Sequence, residues 1–313
     1  MRNTTEFQNA TSLKFSGTPA KAFLSMTPCF FFLYVNIVML FTLRCKAIFQ
    51  DTSRYILFGH LLFSDSLHLS LSILYYMFAV SKLYFVSYVC LIFVICGEIV
   101  TTISPLNLAV MALERYVAIC FPLSHAEIAT SSRTGIAIII VWILGSLNAV
   151  SELLVYLIYE VPSVSMRVFC SRYTLFQLVI YININTAFIV FYFVTVGIII
   201  VYTYIGIIMA AKSASCDSVS LKRANGTVLL HLIQLGLCLT STLFSMINTT
   251  ITWHMDPFAV IQVQYVLFLS LIIFPRCLSS LIYGLRDQAF SGLFKYYFCF
   301  GLRSTMKPTV IVN

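Results

Sequence analysis

The sequence predicts an all-α protein: a bundle of seven transmembrane helices, N-terminus outside, with a short amphipathic helix after the seventh span. Three observations predict it. Of the 313 residues, 60% are hydrophobic and only 10% are charged, and the mean hydropathy is +0.95. Soluble domains are about 45–50% apolar and about 25% charged. Seven apolar stretches are long enough to cross a bilayer as helices, which takes about 20 residues. The basic residues between them alternate in number from one side to the other, as the positive-inside rule requires.

The same numbers exclude other classes. A water-soluble fold of this size needs more charge on its surface, and so much apolar surface cannot stay disordered in water. Ten cysteines in 313 residues are too sparse for a disulfide scaffold. The net charge of +8 is mostly a cytoplasmic bias and calls for no nucleic-acid partner.

From the N-terminus, residues 1–21 are polar and form the predicted extracellular tail. They contain two glycosylation sequons, at Asn3 and Asn9. The first apolar run is too long for a signal-peptide core, so the first span is expected to direct insertion. The predicted spans are Ala22–Leu43, Tyr55–Val80, Val89–Leu113, Gly135–Tyr159, Leu175–Ala210, Thr227–Ile251 and Ala259–Gly284. The fifth exceeds what a bilayer needs and should project into water. The segments after spans one, three, five and seven, with those at the span ends, hold twelve Lys and Arg against six on the other side. The first set is therefore cytoplasmic. Residues 22–284 make up the bundle and residues 285–313 a cytoplasmic segment, in which Asp287–Phe298 is expected to lie on the inner leaflet as an amphipathic helix. Cys299, just beyond it, is a palmitoylation candidate.

Polar groups within spans need a reason, because hydrocarbon offers them no partner. Asn36 in span one and Asp65 in span two could form a structural hydrogen-bond network, or hold water or a sodium ion. Glu98 in span three and Glu152 in the outer half of span four have two readings as well. Either they are protonated and hydrogen-bonded, or they line an outer cavity and attract a cationic ligand. Arg115 follows Cys90 by 25 residues, about 38 Å along a helix, which puts Cys90 at the outer mouth and Arg115 at the inner one. Cys170 is the only cysteine in the loop after span four, and that loop faces the oxidising side. A Cys90–Cys170 disulfide would tie the loop to helix three. Apart from Cys299, the remaining cysteines read as packing. The sequence holds no phosphate-binding glycine loop, nucleophile elbow or metal-spaced cluster. The five histidines are scattered, so no enzyme activity, cofactor or metal is expected.

Met111-Ala112-Leu113-Glu114-Arg115-Tyr116-Val117-Ala118-Ile119-Cys120-Phe121-Pro122-Leu123 resembles the signature that follows helix three in rhodopsin-like receptors. It is most similar to the odorant-receptor version, M-A-x-D-R-Y-V-A-I-C-x-P-L. The continuation Ser124-His125-Ala126-Glu127-Ile128 looks like the fish-type branch. Thr52, Tyr55, Leu61, Phe63 and Asp65 match the opening of helix two in that family, and Trp142 matches the tryptophan of helix four. Tyr202 and Ile205 match the end of helix five, and Arg223, Ala224, Thr227 and His231 the entry to helix six. Tyr283 and Arg286 match the end of helix seven. Three departures stand out: Glu114 for Asp, one loop cysteine where many relatives have three, and Ser279-Ser280 where the family has Asn-Pro.

The resemblance implies a plasma-membrane receptor that binds a small odorant and activates a stimulatory (olfactory) G protein to raise cyclic AMP. It assigns Glu114, Arg115, Tyr116, Tyr202 and Tyr283 to activation and coupling. The outer part of helix three then offers Gly97, Glu98, Thr101 and Thr102 to the ligand, with Glu152 from helix four. Two rival readings are a rhodopsin-like receptor for an amine or peptide, and a non-signalling seven-span transporter or structural protein.

Overall fold

In the computed structural model, the described residues are 19–81, 83–159, 167–176, 178–213 and 288–298, with single positions between 236 and 284. Their elements are α1 (Pro19–Arg44), α2 (Ala47–Asp51), α3 (Ser53–Val80), β1 (Tyr84–Val86), α4 (Ser87–Cys120), α5 (Pro122–Ile128) and α6 (Ser131–Tyr159). After these come β2 (Arg167–Phe169), α7 (Arg172–Leu175), α8 (Val179–Ser213) and α9 (Gln288–Phe298). The predicted sixth and seventh spans lie largely outside the described residues.

Lipid forces the backbone of a spanning segment to satisfy its own hydrogen bonds, and unbroken apolar runs therefore fold as helices. Five described helices are long and apolar enough to cross a membrane: α1, α3, α4, α6 and α8. These are the first five predicted spans. α4 has 34 residues and α8 has 35, about 51 Å and 52 Å of helix against a hydrocarbon core of about 30 Å. Both must enter the aqueous layers. α4 is the central element, packed against α3, α6 and α8.

Polar contacts join the helices where their apolar sides meet. Asn148 Nδ2 of α6 donates to Asn185 Oδ1 of α8 at 3.1 Å, and the Tyr192 hydroxyl of α8 donates to the Leu144 carbonyl of α6 at 2.6 Å. Such contacts fit membrane packing, where water does not drive helices together. Outward, α8 shows Val190, Phe191, Val194, Ile198, Val201 and Ile205. From Phe191 on, their spacing of three and four residues makes one apolar stripe, the face a bilayer would cover.

The expected start of span five is corrected. Leu175 is not part of α8 but ends α7. Ser171 caps α7 reciprocally with Thr174, each hydroxyl accepting from the other's backbone N–H, so one isolated turn forms and stops. Leu175 and Phe176 are apolar because they pack with Cys90, Cys170, Tyr156 and Tyr181, not because they face lipid. The loops also carry a feature that the reading as helices throughout did not foresee. β1 and β2 pair antiparallel, Tyr84 opposite Phe169 and Val86 opposite Arg167.

α9 differs from a helix lying free on the leaflet. Phe290 and Phe294 are buried with Val35, Met39 and Leu43 of α1, Phe49 of α2, and Phe58 and Leu62 of α3. The ring of Phe298 sits 5.7 Å from that of Tyr34, a residue about 15 Å back along α1 from Arg44. The stripe Phe290, Phe294, Phe298 repeats every four residues, so one face of α9 packs along α1.

Candidate functional site

The outer cluster begins with a covalent link. Cys90, in the first turn of α4, is disulfide-bonded to Cys170, with Cα atoms 5.3 Å apart. Two residues later Arg172 opens α7, and its guanidinium reaches back into the bundle. It donates through Nη1 to Glu98 Oε1 of α4 and through Nη2 to Glu152 Oε1 of α6, the latter at 2.5 Å. Glu152 is fully buried, whereas the Arg172 side chain remains 28% exposed. Glu98 Oε2, Glu152 Oε2 and the Tyr75 hydroxyl are buried without a hydrogen-bond partner among the described residues. Tyr75 packs on Gly97, where an added Cβ would lie 3.3 Å from its hydroxyl oxygen.

The two acids singled out in the sequence are therefore brought together, and the chain's own cation lies on both. Arg172 counted only toward membrane orientation in the sequence. What could have marked it is its position two residues past the loop cysteine, which fixes it above helix three. Thr101 is exposed, and its hydroxyl donates to the Gly97 carbonyl at 2.7 Å. Thr102 does the same to the Glu98 carbonyl at 3.0 Å. Both hydroxyls thus close onto their own helix.

At the opposite end of α4, Arg115 Nε lies 3.4 Å from Glu114 Oε2, and His125 Nε2 of α5 lies 3.3 Å from Glu114 Oε1. Among the described residues each carboxylate oxygen has a partner, and His125 is a participant that the signature did not identify. Tyr116 packs its ring 5.6 Å from that of Tyr202 on α8. The approach is possible because Gly206 has no side chain: a Cβ there would lie 2.3 Å from Tyr116 Cε2. Tyr283, like Asn3, Asn9, Cys299 and Ser279-Ser280, lies outside the described residues.

Between the two ends runs a polar core. Asp65 Oδ1 accepts from the Ser104 hydroxyl at 2.8 Å. Asn36 is buried, and its Nδ2 has no hydrogen-bond partner among the described residues. His60, one of the five scattered histidines, links Trp142 to Asn107. Cys45 and Cys96 are exposed, so packing does not account for those two cysteines.

Five apolar spans among the described residues, a disulfide holding the loop before α8 to α4, and a Glu-Arg-Tyr in the last two turns of α4 are the arrangement of a seven-transmembrane receptor. Residues 35–283 match the family described as 7 transmembrane receptor (rhodopsin family), and the chain belongs to it. It is 37% identical over 270 residues to Odorant receptor 131-2 of Danio rerio, covering 85% of this chain and 82% of the relative. The resemblance to fish-type odorant receptors read from the helix-three signature is thereby borne out. The family is one of receptors rather than enzymes, and its members are multi-pass proteins of the plasma membrane.

Proposed function

We propose that this receptor binds a small odorant in the outer half of the bundle and activates a stimulatory, olfactory-type G protein that raises cyclic AMP. The observation that carries the reading is the helix-three signature, with Arg115 held by Glu114 at the cytoplasmic end, in a chain similar to an odorant receptor. Agonist shifts the population toward the active bundle because it binds that state better. Arg115, released from Glu114, then meets the G protein beside Tyr116, Tyr202 and Tyr283. Gly97, Glu98, Thr101, Thr102 and Glu152 are the proposed ligand contacts, and a cationic odorant fits two acids that one guanidinium brings together. Residues 1–21 form the outer tail, glycosylated at Asn3 and Asn9. Residues 22–284 span the membrane, and residues 285–313 face the cytoplasm, with Cys299 palmitoylated beside the lipid.

A cyclic AMP reporter assay in cells expressing the receptor tests this, using amine, amino-acid and neutral odorant panels. The expected result is a ligand response that disappears in Arg115→Ala at equal surface expression. Selective loss of amine responses in Glu98→Gln would place that acid at the ligand. Silence across all panels despite surface expression would overturn the coupling.

A further inference from the structure

We propose that Arg172 is a tethered occupant of a cation site built by Glu98 and Glu152, and that a ligand's ammonium or guanidinium group binds there by displacing it. The inference rests on the receptor reading above and names the ligand class and the residue that restricts access.

Four observations carry it. First, one guanidinium contacts two carboxyl groups from different spans, Glu98 and Glu152. If both are ionised, one negative charge in the cluster is left over, which the interior penalises unless another cation offsets it. Second, Glu152 is fully buried and its Oε2 has no hydrogen-bond partner among the described residues, nor have Glu98 Oε2 and the Tyr75 hydroxyl. These are two carboxyl oxygens and a hydroxyl that can also accept, a surface that suits a small organic cation. Third, the side chain covering the acids is also the most exposed of the three, at 28%. Fourth, Arg172 comes from a loop and not from a span. The Cys90–Cys170 disulfide anchors it two residues away, and α7 is a single capped turn. The guanidinium can therefore swing aside while its backbone stays in place. Arg172 thus competes with any cationic ligand and sets the concentration at which one enters.

Heat stability of the purified full-length receptor in lipid nanodiscs tests this without involving signalling. Methylguanidinium and butylammonium chloride are the probes, with butanol and sodium chloride as matched controls. Arg172→Ala should unfold several degrees lower than the unmodified receptor. Methylguanidinium and butylammonium should restore it saturably, at concentrations about tenfold lower than any stabilisation of the unmodified receptor, because no tethered competitor remains. Neither control should do so, and adding Glu152→Gln to Arg172→Ala should abolish the rescue. Arg172→Lys keeps a cation but loses the fork that meets both acids, so it should respond at intermediate concentrations. It also carries the comparison if Arg172→Ala fails to fold. Equal responses in the unmodified receptor and the variants, or rescue that survives Glu152→Gln, would overturn the proposal. A failure of cyclic AMP signalling would leave this result untouched and would count only against the coupling.

Discussion

Trp142 of α6 donates its indole N–H to Nε2 of His60 of α3 at 2.9 Å. Since Nε2 must accept, the ring proton lies on Nδ1, which donates to Asn107 Oδ1 of α4 at 3.0 Å. Asn107 Nδ2 in turn donates to the Leu57 carbonyl at 3.0 Å. Three spans are joined by one directional chain. Trp142→Phe keeps an aromatic side chain but removes the donor and leaves Nε2 unsatisfied, which should cost about 1 kcal/mol. In thermal unfolding, His60→Ala combined with Trp142→Phe should cost less than the sum of the two changes. Strict additivity would show the pair uncoupled.

Glu114 holds Arg115 at a partly solvated helix end, where such pairs contribute about 0.2–1 kcal/mol. Glu114→Gln should therefore raise basal cyclic AMP only modestly, by about two- to fivefold. An unchanged basal signal at matched surface expression would mean that this contact does not restrain the receptor.

Two glycines of α8 should respond differently to the same substitution. At Gly206 a Cβ would collide with the Tyr116 ring, whereas at Gly197 it would meet nothing within 4 Å. Gly206→Ala should destabilise by about 1–3 kcal/mol as Tyr116 is pushed aside. Gly197→Ala should be neutral or stabilising by up to about 1 kcal/mol, because alanine restricts the unfolded chain and favours helix. Thermal unfolding of the two variants side by side decides this.

The Cys90–Cys170 bond closes a separation of 80 residues. Cys170→Ser should cost about 2–4 kcal/mol and should also loosen the loop that positions Arg172. Unfolding of the unmodified receptor with and without reductant should reproduce the loss, while Cys170→Ser should be insensitive to reductant.

Tyr297 of α9 sits outside the spans, 5.2 Å ring to ring from Phe41. Its phenol is held above the ordinary value of 10.0, first by a hydrogen bond to the Cys45 thiol and then by burial. A raised folded-state pKa favours the protonated form when folded. The contact therefore stabilises fully below about pH 10 and fades as pH climbs through the raised value. Tyr297→Phe should remove that alkaline component from the pH dependence of unfolding, measured between neutral and strongly alkaline pH.

The amino-acid sequence by itself determined the class and the orientation. Four of the five spans emerged within four residues of their predicted ends because hydrocarbon admits no unpaired backbone, whereas the third runs seven residues past Leu113 to Cys120, since its helix continues beyond the apolar run. Cys90 and Cys170 were legible as a pair because only one cysteine was available in the loop. Arg115 was legible because its neighbours form a long contiguous motif. Only the tertiary structure decided which polar side chains meet. Arg172 on Glu98 and Glu152, His60 between Trp142 and Asn107, and His125 on Glu114 all join residues from different elements. Hydropathy records that a segment is buried in lipid but not which face it turns to its neighbours. The start of span five was misplaced for the same reason, since Leu175 and Phe176 are as apolar under a loop as they would be in a membrane. Pairing of side chains depends on how helices rotate and approach, and that is fixed by packing across the bundle rather than by any local pattern.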